Sequence, residues 1–229
     1  MFSRKAVRSC VAVASVIMVW ALLLPNSAAA QRTNRSGTRQ EPEKKFMLES
    51  AGGIALPASR LADVADPGPN VGLQLGYSIN RRLALNLLGD VDFLNGADVS
   101  AGTQAPDMRL WHYGAGLEAN LLRPVAGRSA NRWSLRANIG LGATTFNSDR
   151  FSAGNAEQDF NHTYFTTGGG LRIGYAVTPR FTTYVGSRAY WMAMDKGDTE
   201  ALAALNPAKI RPFDSGWTFP VTAGFSWRM

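Results

Sequence analysis

The chain has 229 residues, with 24 Lys and Arg against 17 Asp and Glu, two histidines and one cysteine. Its formal charge of +7 is scattered along the sequence, which gives no electrostatic footprint for nucleic acid. The lone thiol, Cys10, excludes an internal disulfide and a multi-cysteine metal site.

Residues 1–30 carry Arg4, Lys5 and Arg8, then a run from Val11 to Leu24 that is apolar but for Ser15, then Pro25 and Ala28-Ala29-Ala30. That order of charged, apolar and small residues is an export signal cleaved after Ala30. The apolar run has about 14 residues, short of the ~20 that a spanning helix needs, so a retained anchor fits less well. Cys10 stands at the start of the run rather than after the cleavage site, which argues against a lipoprotein. Cleavage takes Cys10 and three positive charges with it, leaving a formal +4 from 21 basic and 17 acidic residues. No later apolar run reaches helix-spanning length, so any membrane crossing must use strands. Residues 31–45 are polar and charged without a core-forming pattern, and read as a disordered periplasmic leader.

From residue 46 to residue 229 one unit repeats: an alternating segment of roughly ten to fifteen residues followed by a turn or loop. The segments are Phe46 to Leu56, Pro69 to Ile79, Leu83 to Leu94, Met108 to Leu122, Trp133 to Asn147, Thr163 to Val177, a seventh from Phe181 through Trp191, and Trp217 to Met229. Asn80-Arg81-Arg82 and Thr178-Pro179-Arg180 make tight turns, residues 123–132 a medium connection, and residues 57–68, 95–107, 148–161 and 195–216 long loops. Eight segments with this spacing predict an all-β fold, an eight-stranded antiparallel up-and-down transmembrane β-barrel. If the N-terminus is delivered to the periplasm, the long loops face outward and the short turns face the periplasm.

Parity assigns the faces. One parity collects apolar residues such as Leu73, Leu75, Leu85, Leu87, Leu141 and Val221; the other collects Glu49, Gln74, Asn86, Asp90, Asp92, His112, Glu118, Arg136, Asn138, Arg172 and Arg188. A polar inside and an apolar outside invert a soluble lipocalin-like barrel, and this favours membrane over solution. In the seventh strand the alternative register would put Arg188 toward lipid at a cost of about 2–4 kcal/mol, so Arg188 is placed inside, with Thr183 and Ser187 outside.

Aromatic residues collect at strand ends. Phe46, Tyr77, Trp133, Tyr175, Phe181, Phe225 and Trp227 fall near the short-turn ends, and Phe93, Trp111, Tyr113, Phe165, Trp191, Trp217 and Phe219 near the long-loop ends. Phe165 and Tyr175 are ten residues apart on one face, about 23 Å along the axis of a strand tilted near 45°. That is the height of an outer-membrane apolar band with a girdle at each edge.

Three stretches carry a family likeness: Gly168-Gly169-Gly170-Leu171-Arg172-Ile173-Gly174-Tyr175, Thr178-Pro179-Arg180-Phe181, and the alternation from Val221 to Met229. With them the segments resemble the small bacterial outer-membrane β-barrels of the OmpA/OmpX type. The resemblance covers the chain from Phe46 onward and implies residence in the bacterial outer membrane, contact with outer-membrane lipid, a monomeric state, and recognition of the C-terminal strand by the barrel-assembly machinery. The peptidoglycan-binding domain of longer relatives is not expected here. Such patterns specify fold far better than function.

The lumen set Glu49, Asp90, Asp92, Glu118, Arg136, Arg172 and Arg188 is the most informative constellation. Unpaired charges inside so narrow a barrel are costly, so the carboxylates should pair with the guanidinium groups. A gate or narrow ion path is one reading, and a structural plug is the one that barrel size favours. Inward Gly114, Gly116, Gly140, Gly142, Gly168, Gly170 and Gly174 are expected to leave room for the long side chains. The alternative to a structural, surface-interaction or minor-permeation role is a lipid-modifying enzyme resembling a lipid A acyl hydrolase; a soluble ligand carrier is a distant third. His112 and His162 are the candidate bases, but His162 is followed by Thr163 and Tyr164 rather than a serine two residues on, and His112 points inward. No catalytic set, cofactor site or metal cluster emerges. In the longest loop, Asp198 or Thr199 could cap a short helix that stops at Asn206-Pro207, forming a solvated lid.

Overall fold

A computed structural model describes residues 46–100, 103–122, 132–149, 151–153, 156–158 and 160–229. The expected signal and leader lie outside these residues. Eight long strands carry the fold: β1 (Phe46–Ala58), β2 (Gly68–Ser78), β3 (Leu83–Gly96), β4 (Met108–Leu122), β5 (Trp133–Ser148), β6 (Asn161–Ala176), β7 (Phe181–Ala193) and β8 (Ser215–Arg228). Each pairs antiparallel with the next, and β8 pairs with β1, from Met47 opposite Arg228 to Ala58 opposite Trp217. The sheet therefore closes on itself and leaves no edge strand open.

The short turns form where the sequence punctuates. Asn80 Oδ1 accepts from the backbone N–H groups of Arg82 (2.7 Å) and Leu83 (2.9 Å). Thr178 Oγ1 accepts from Phe181 N–H at 3.0 Å. These side chains mimic a turn's own hydrogen bonds.

The strands run 11 to 16 residues, longer than the about 9–11 that a tilted strand needs to cross a bilayer. The surplus lies at the loop end. There β6 begins two residues before the expected Thr163 and β7 continues to Ala193. The long loops add order of their own: a 3-10 turn at Ser59–Asp63, the pair Ala65–Asp66 on β3, and two short antiparallel pairings, Asp98–Ser100 with Thr103–Gln104 and Phe151–Ala153 with Ala156–Gln158. The expected helix is present as α1 (Lys196–Ala204), but its N-cap is Asp195, whose carboxylate accepts from Gly197 N–H at 2.8 Å. Asp198 and Thr199 instead lie inside the first turn, free to make the tertiary contacts described below.

This loop end is not a solvated lid. Leu94, Met108, Leu110, Phe146, Tyr164 and Met192 turn inward from the strand ends and meet Leu61, Val64, Val99, Phe160, Leu202, Ile210 and Phe213 from the loops in one buried cluster. Phe146 and Phe160 pack edge to face at 5.0 Å. Thr199 binds the returning chain twice: its hydroxyl donates to the Phe213 carbonyl and accepts from the Phe213 N–H, both at 2.8 Å. The inside of the barrel is thus polar only from mid-height down to the turn end; above that it is an apolar core. Charge-bearing positions drew attention to the lower layers, whereas the apolar inward residues sit at strand tips, where two or three alternations are too few to separate lumen from lipid.

Candidate functional site in the barrel lumen

The lower lumen is filled by a connected set of polar side chains. Glu49 from β1 crosses the lumen and accepts from Arg136 of β5 at 2.5 Å and from Arg172 of β6. Glu118 from β4 lies 3.2 Å from Arg136 and 3.6 Å from Arg172. Arg172 also donates to Gln74 Oε1 at 2.6 Å, and the same oxygen accepts from Arg188 at 2.9 Å. Arg188 continues to Asp90 at 2.7 Å and to the Tyr190 hydroxyl at 2.6 Å, and Tyr190 in turn donates to Asp90. Both Arg136 and Arg172 lie over the Tyr184 ring, 5.6 and 5.2 Å from its centroid. Glu118, Arg136, Glu49, Arg172, Gln74, Arg188 and Asp90 come from seven different strands.

Asp92 does not join a guanidinium. It accepts from Asn70 at 2.6 Å and faces His112 Nε2 at 3.0 Å. His112 Nδ1 is 2.6 Å from the Thr144 hydroxyl, which lies 2.6 Å from that of Thr166. The imidazole stacks on Tyr190 at 4.2 Å, with an interplanar angle of 9°. Sequence reasoning placed His112 inward but left it outside the charge set. The cross-strand pairing of Asp90 with His112 puts Asp92 one pleat above the arginines, beyond their reach. Asp92 and His112 are 0% and 2% exposed, so this acid–imidazole–hydroxyl chain is sealed within the lumen.

The inward glycines divide by what a Cβ would meet. At Gly114, Gly116 and Gly142 it would strike the backbone carbonyls of Leu141, Ile139 and Tyr113 on the neighbouring strand. These glycines permit close strand approach rather than space for arginines. Room for side chains is made at three others of the expected set, Gly168 beside the Tyr190 ring, Gly170 beside Arg188 Cβ and Gly174 beside the Ser134 hydroxyl, and also at Gly72 beside the Asp90 carboxylate and at Gly186 beside the Arg172 stem. Two small cavities of about 20 and 30 Å³ interrupt the packing, each with room for one or two waters. Residues of seven strands therefore touch one another across the polar layer.

On the outer face, the aromatic positions pair across strands. At the turn end Phe46 faces Tyr77 and Trp133 faces Tyr175, each with rings 5.2 Å apart, while Phe181 packs on Phe225 at 5.6 Å and lies opposite Trp227. At the loop end Trp191 lies opposite Trp217, whose ring stacks on Phe219 at 5.9 Å, and Trp111, Tyr113 and Phe165 are exposed on the same outer surface. Between these belts the exposed residues include Leu73, Leu87, Leu141, Leu171, Val185 and Val221. An apolar band this wide is stable only against lipid.

His162 stands at the loop end, 3.5 Å from Asp198 of α1, and the same carboxylate oxygen accepts from Tyr164 at 2.9 Å. Among the described residues no group of three or more His, Cys, Asp and Glu is placed to hold a metal ion.

Comparison with known proteins agrees with this geometry. No curated protein matches the chain in sequence. Among solved structures it is similar to Neisserial surface protein A (NspA), at 16% identity over 80% of this chain and 97% of that one, with a TM-score of 0.52. It is also similar to the N-terminal β-barrel domain of Pseudomonas aeruginosa OprF, at 14% identity, 80% and 98% coverage and a TM-score of 0.43. Ail, the attachment invasion locus protein of Yersinia pestis, gives 14% identity, 80% and 99% coverage and a TM-score of 0.43. The outer membrane protein beta-barrel domain pattern matches residues 18–207. With a closed antiparallel barrel, an apolar outer band and that match along most of its length, the chain belongs to the outer-membrane protein β-barrel domain family of bacteria.

Proposed function

We propose that the protein is a closed, monomeric outer-membrane barrel with a structural or surface-interaction role, in which permeation is at most minor. The observation that carries this reading is the double filling of the lumen. An ionic layer around Glu49, Arg136 and Arg172 occupies the lower half, and an apolar cluster around Phe146 and Met192 occupies the upper half. A pore would need neither. The ordered loop end would face outward if an N-terminal signal delivers the N-terminus to the periplasm, which would offer it for surface interaction. β8 would be the strand read by the barrel-assembly machinery.

The lipid A acyl hydrolase alternative has less support. The imidazole with both a hydroxyl and a carboxylate partner, His112, points into the lumen, and His162 has a carboxylate but, among the described residues, no serine partner. Such chemistry requires a base, a nucleophile and an accessible lipid face together.

Two measurements on purified protein test the proposal. Unheated samples in SDS should migrate differently from boiled ones, because a closed barrel resists the detergent. Planar bilayers should show no sustained conductance. Steady open-channel current from wild-type protein, or release of fatty acid from lipid A, would overturn the closed, non-enzymatic role.

A further inference from the structure

The polar layer of the lumen holds buried groups that its protein contacts leave unpaired. Gln74 Oε1 accepts from Arg172 at 2.6 Å and from Arg188 at 2.9 Å, and two donor-only guanidinium partners fix which way the amide points. Its Nε2 is therefore turned away from them, and it has no partner among the described residues. Asn70 is fixed in the same manner: its amide nitrogen donates to Asp92 and to the Val91 carbonyl, which leaves Oδ1 as a buried acceptor without a partner among the described residues. Arg188 Nε, a donor in any setting, is a third such atom, and Asn86 Oδ1 and Asn138 Nδ2 join them. Asn70, Gln74 and Asn86 are 2%, 4% and 4% exposed and Arg188 is 9% exposed, so bulk solvent does not serve these groups.

The residues that carry these atoms are the ones that line the two small cavities. Gln74, Asn86, Asn138 and Arg188 line the first, of about 20 Å³. Asn70, Gln74 and Arg188 line the second, of about 30 Å³, so Gln74 and Arg188 border both. Thr166 also lines the first cavity. It is the last member of the chain that runs from Asp92 through His112 and Thr144, and the first cavity therefore brings the end of that chain beside the arginine set.

An occupant has to serve donors and acceptors at once. A metal cation would meet the amide nitrogens and a guanidinium. An anion would meet the Asn86 and Asn70 oxygens in a layer where the four carboxylates Glu49, Asp90, Asp92 and Glu118 stand against the three guanidinium groups of Arg136, Arg172 and Arg188. A hydrocarbon would leave every one of these groups unpaired. Water donates and accepts, and each volume holds about one or two molecules. We propose that both cavities are binding sites for ordered water, and that the water of the first joins Thr166 to Arg188 and Gln74. The Asp92–His112 chain and the arginine set then form one hydrogen-bonded network across the lumen.

The test uses the full chain, isotope-labelled and reconstituted in phospholipid vesicles, with solid-state NMR measuring how fast magnetisation passes from water protons to chosen nitrogens. In wild type, transfer to Gln74 Nε2 and Arg188 Nε should be several-fold faster than to the backbone nitrogen of Phe146 in the apolar plug. Asn138→Leu presents an apolar side chain to the first cavity and should slow transfer to the Asn86 side-chain amide, while Gln74 Nε2, which also borders the second, stays in contact with water. Heat-dependent gel mobility checks that the variant is folded. Should it not fold, the wild-type rates and replacement of chloride by bromide carry the test. Transfer to Gln74 Nε2 and Arg188 Nε no faster than to Phe146 overturns the proposal while leaving the closed barrel intact. A shift of the Arg188 Nε signal on replacing chloride by bromide would make the occupant an anion and overturn it as well. Unchanged transfer to Asn86 in folded Asn138→Leu would remove water from the first cavity and with it the joined network.

Discussion

Arg136 and Arg172 lie directly opposite each other on adjacent strands, both turned into the lumen. Like charges in that position repel; Glu118 of the neighbouring β4 lies near both, but the carboxylate that accepts a hydrogen bond from each comes from neither neighbour strand of the pair. Glu49 reaches them from across the barrel and accepts from both. Glu49→Ala should therefore cost more than Glu118→Ala, whose contacts are longer. Leaving one buried charge uncompensated costs about 3–5 kcal/mol. Urea titration of refolded protein in lipid measures the difference, and Glu49→Ala combined with Arg172→Met should recover part of the loss. Equal, small effects of the two single variants would contradict this arrangement.

The apolar upper plug predicts large costs at its centre. Phe146 is fully buried, and Phe146→Ala should destabilise by about 3–5 kcal/mol. Thr199→Val keeps the shape but strands the Phe213 N–H and carbonyl that the hydroxyl satisfies, at about 1–3 kcal/mol for each buried group left unpaired. The expected readout for Thr199→Val is faster proteolysis within residues 195–214 with little change in the urea midpoint of the barrel.

Glycine positions should separate sharply. A methyl group at Gly142 would collide with the Tyr113 carbonyl and the Gly114 Cα, while at Gly89 nothing lies within 4 Å. Gly142→Ala should cost about 1–3 kcal/mol through overpacking, and Gly89→Ala should be neutral or slightly stabilising. Similar unfolding midpoints for the two would show that the close approach of β4 and β5 is dispensable.

Orientation is tested on intact cells. A cysteine at Glu200, in the loop-end helix, should react with a membrane-impermeant maleimide, and one at Arg81 should not. The reverse pattern would invert the barrel and place the short turns at Asn80 and Thr178 at the cell surface.

Strand number, turn positions and the face of nearly every strand were legible because the alternation is long and the turns are marked by Asn80, Thr178 and Pro179. The register of β7 could be reasoned out because one of its two choices exposes Arg188 to lipid. Three things were not legible. The partner of Asp92 depends on which rung it occupies, a relation between strands and not a property of either. The apolar plug is assembled from strand tips and four loops, with no periodic signature of its own. The role of Gly114 and Gly142 is set by strand-to-strand backbone distance, which pleat parity does not encode. In each case the missing information is a contact between segments far apart in the chain.

The lumen network also constrains how the barrel can form. Its members come from seven strands, and Glu49, which holds the two facing arginines, sits on β1, the strand that closes against β8. Until β1 is seated, Arg136 and Arg172 confront each other with only Glu118 of β4 to answer two buried guanidinium charges, and an uncompensated buried charge is unfavourable. A half-built barrel therefore gains little from its later strands until the first strand is in place. Assembly should be all-or-none, with few stable partial barrels, and the interior charges act as a checkpoint for closure as well as a filling for the closed form.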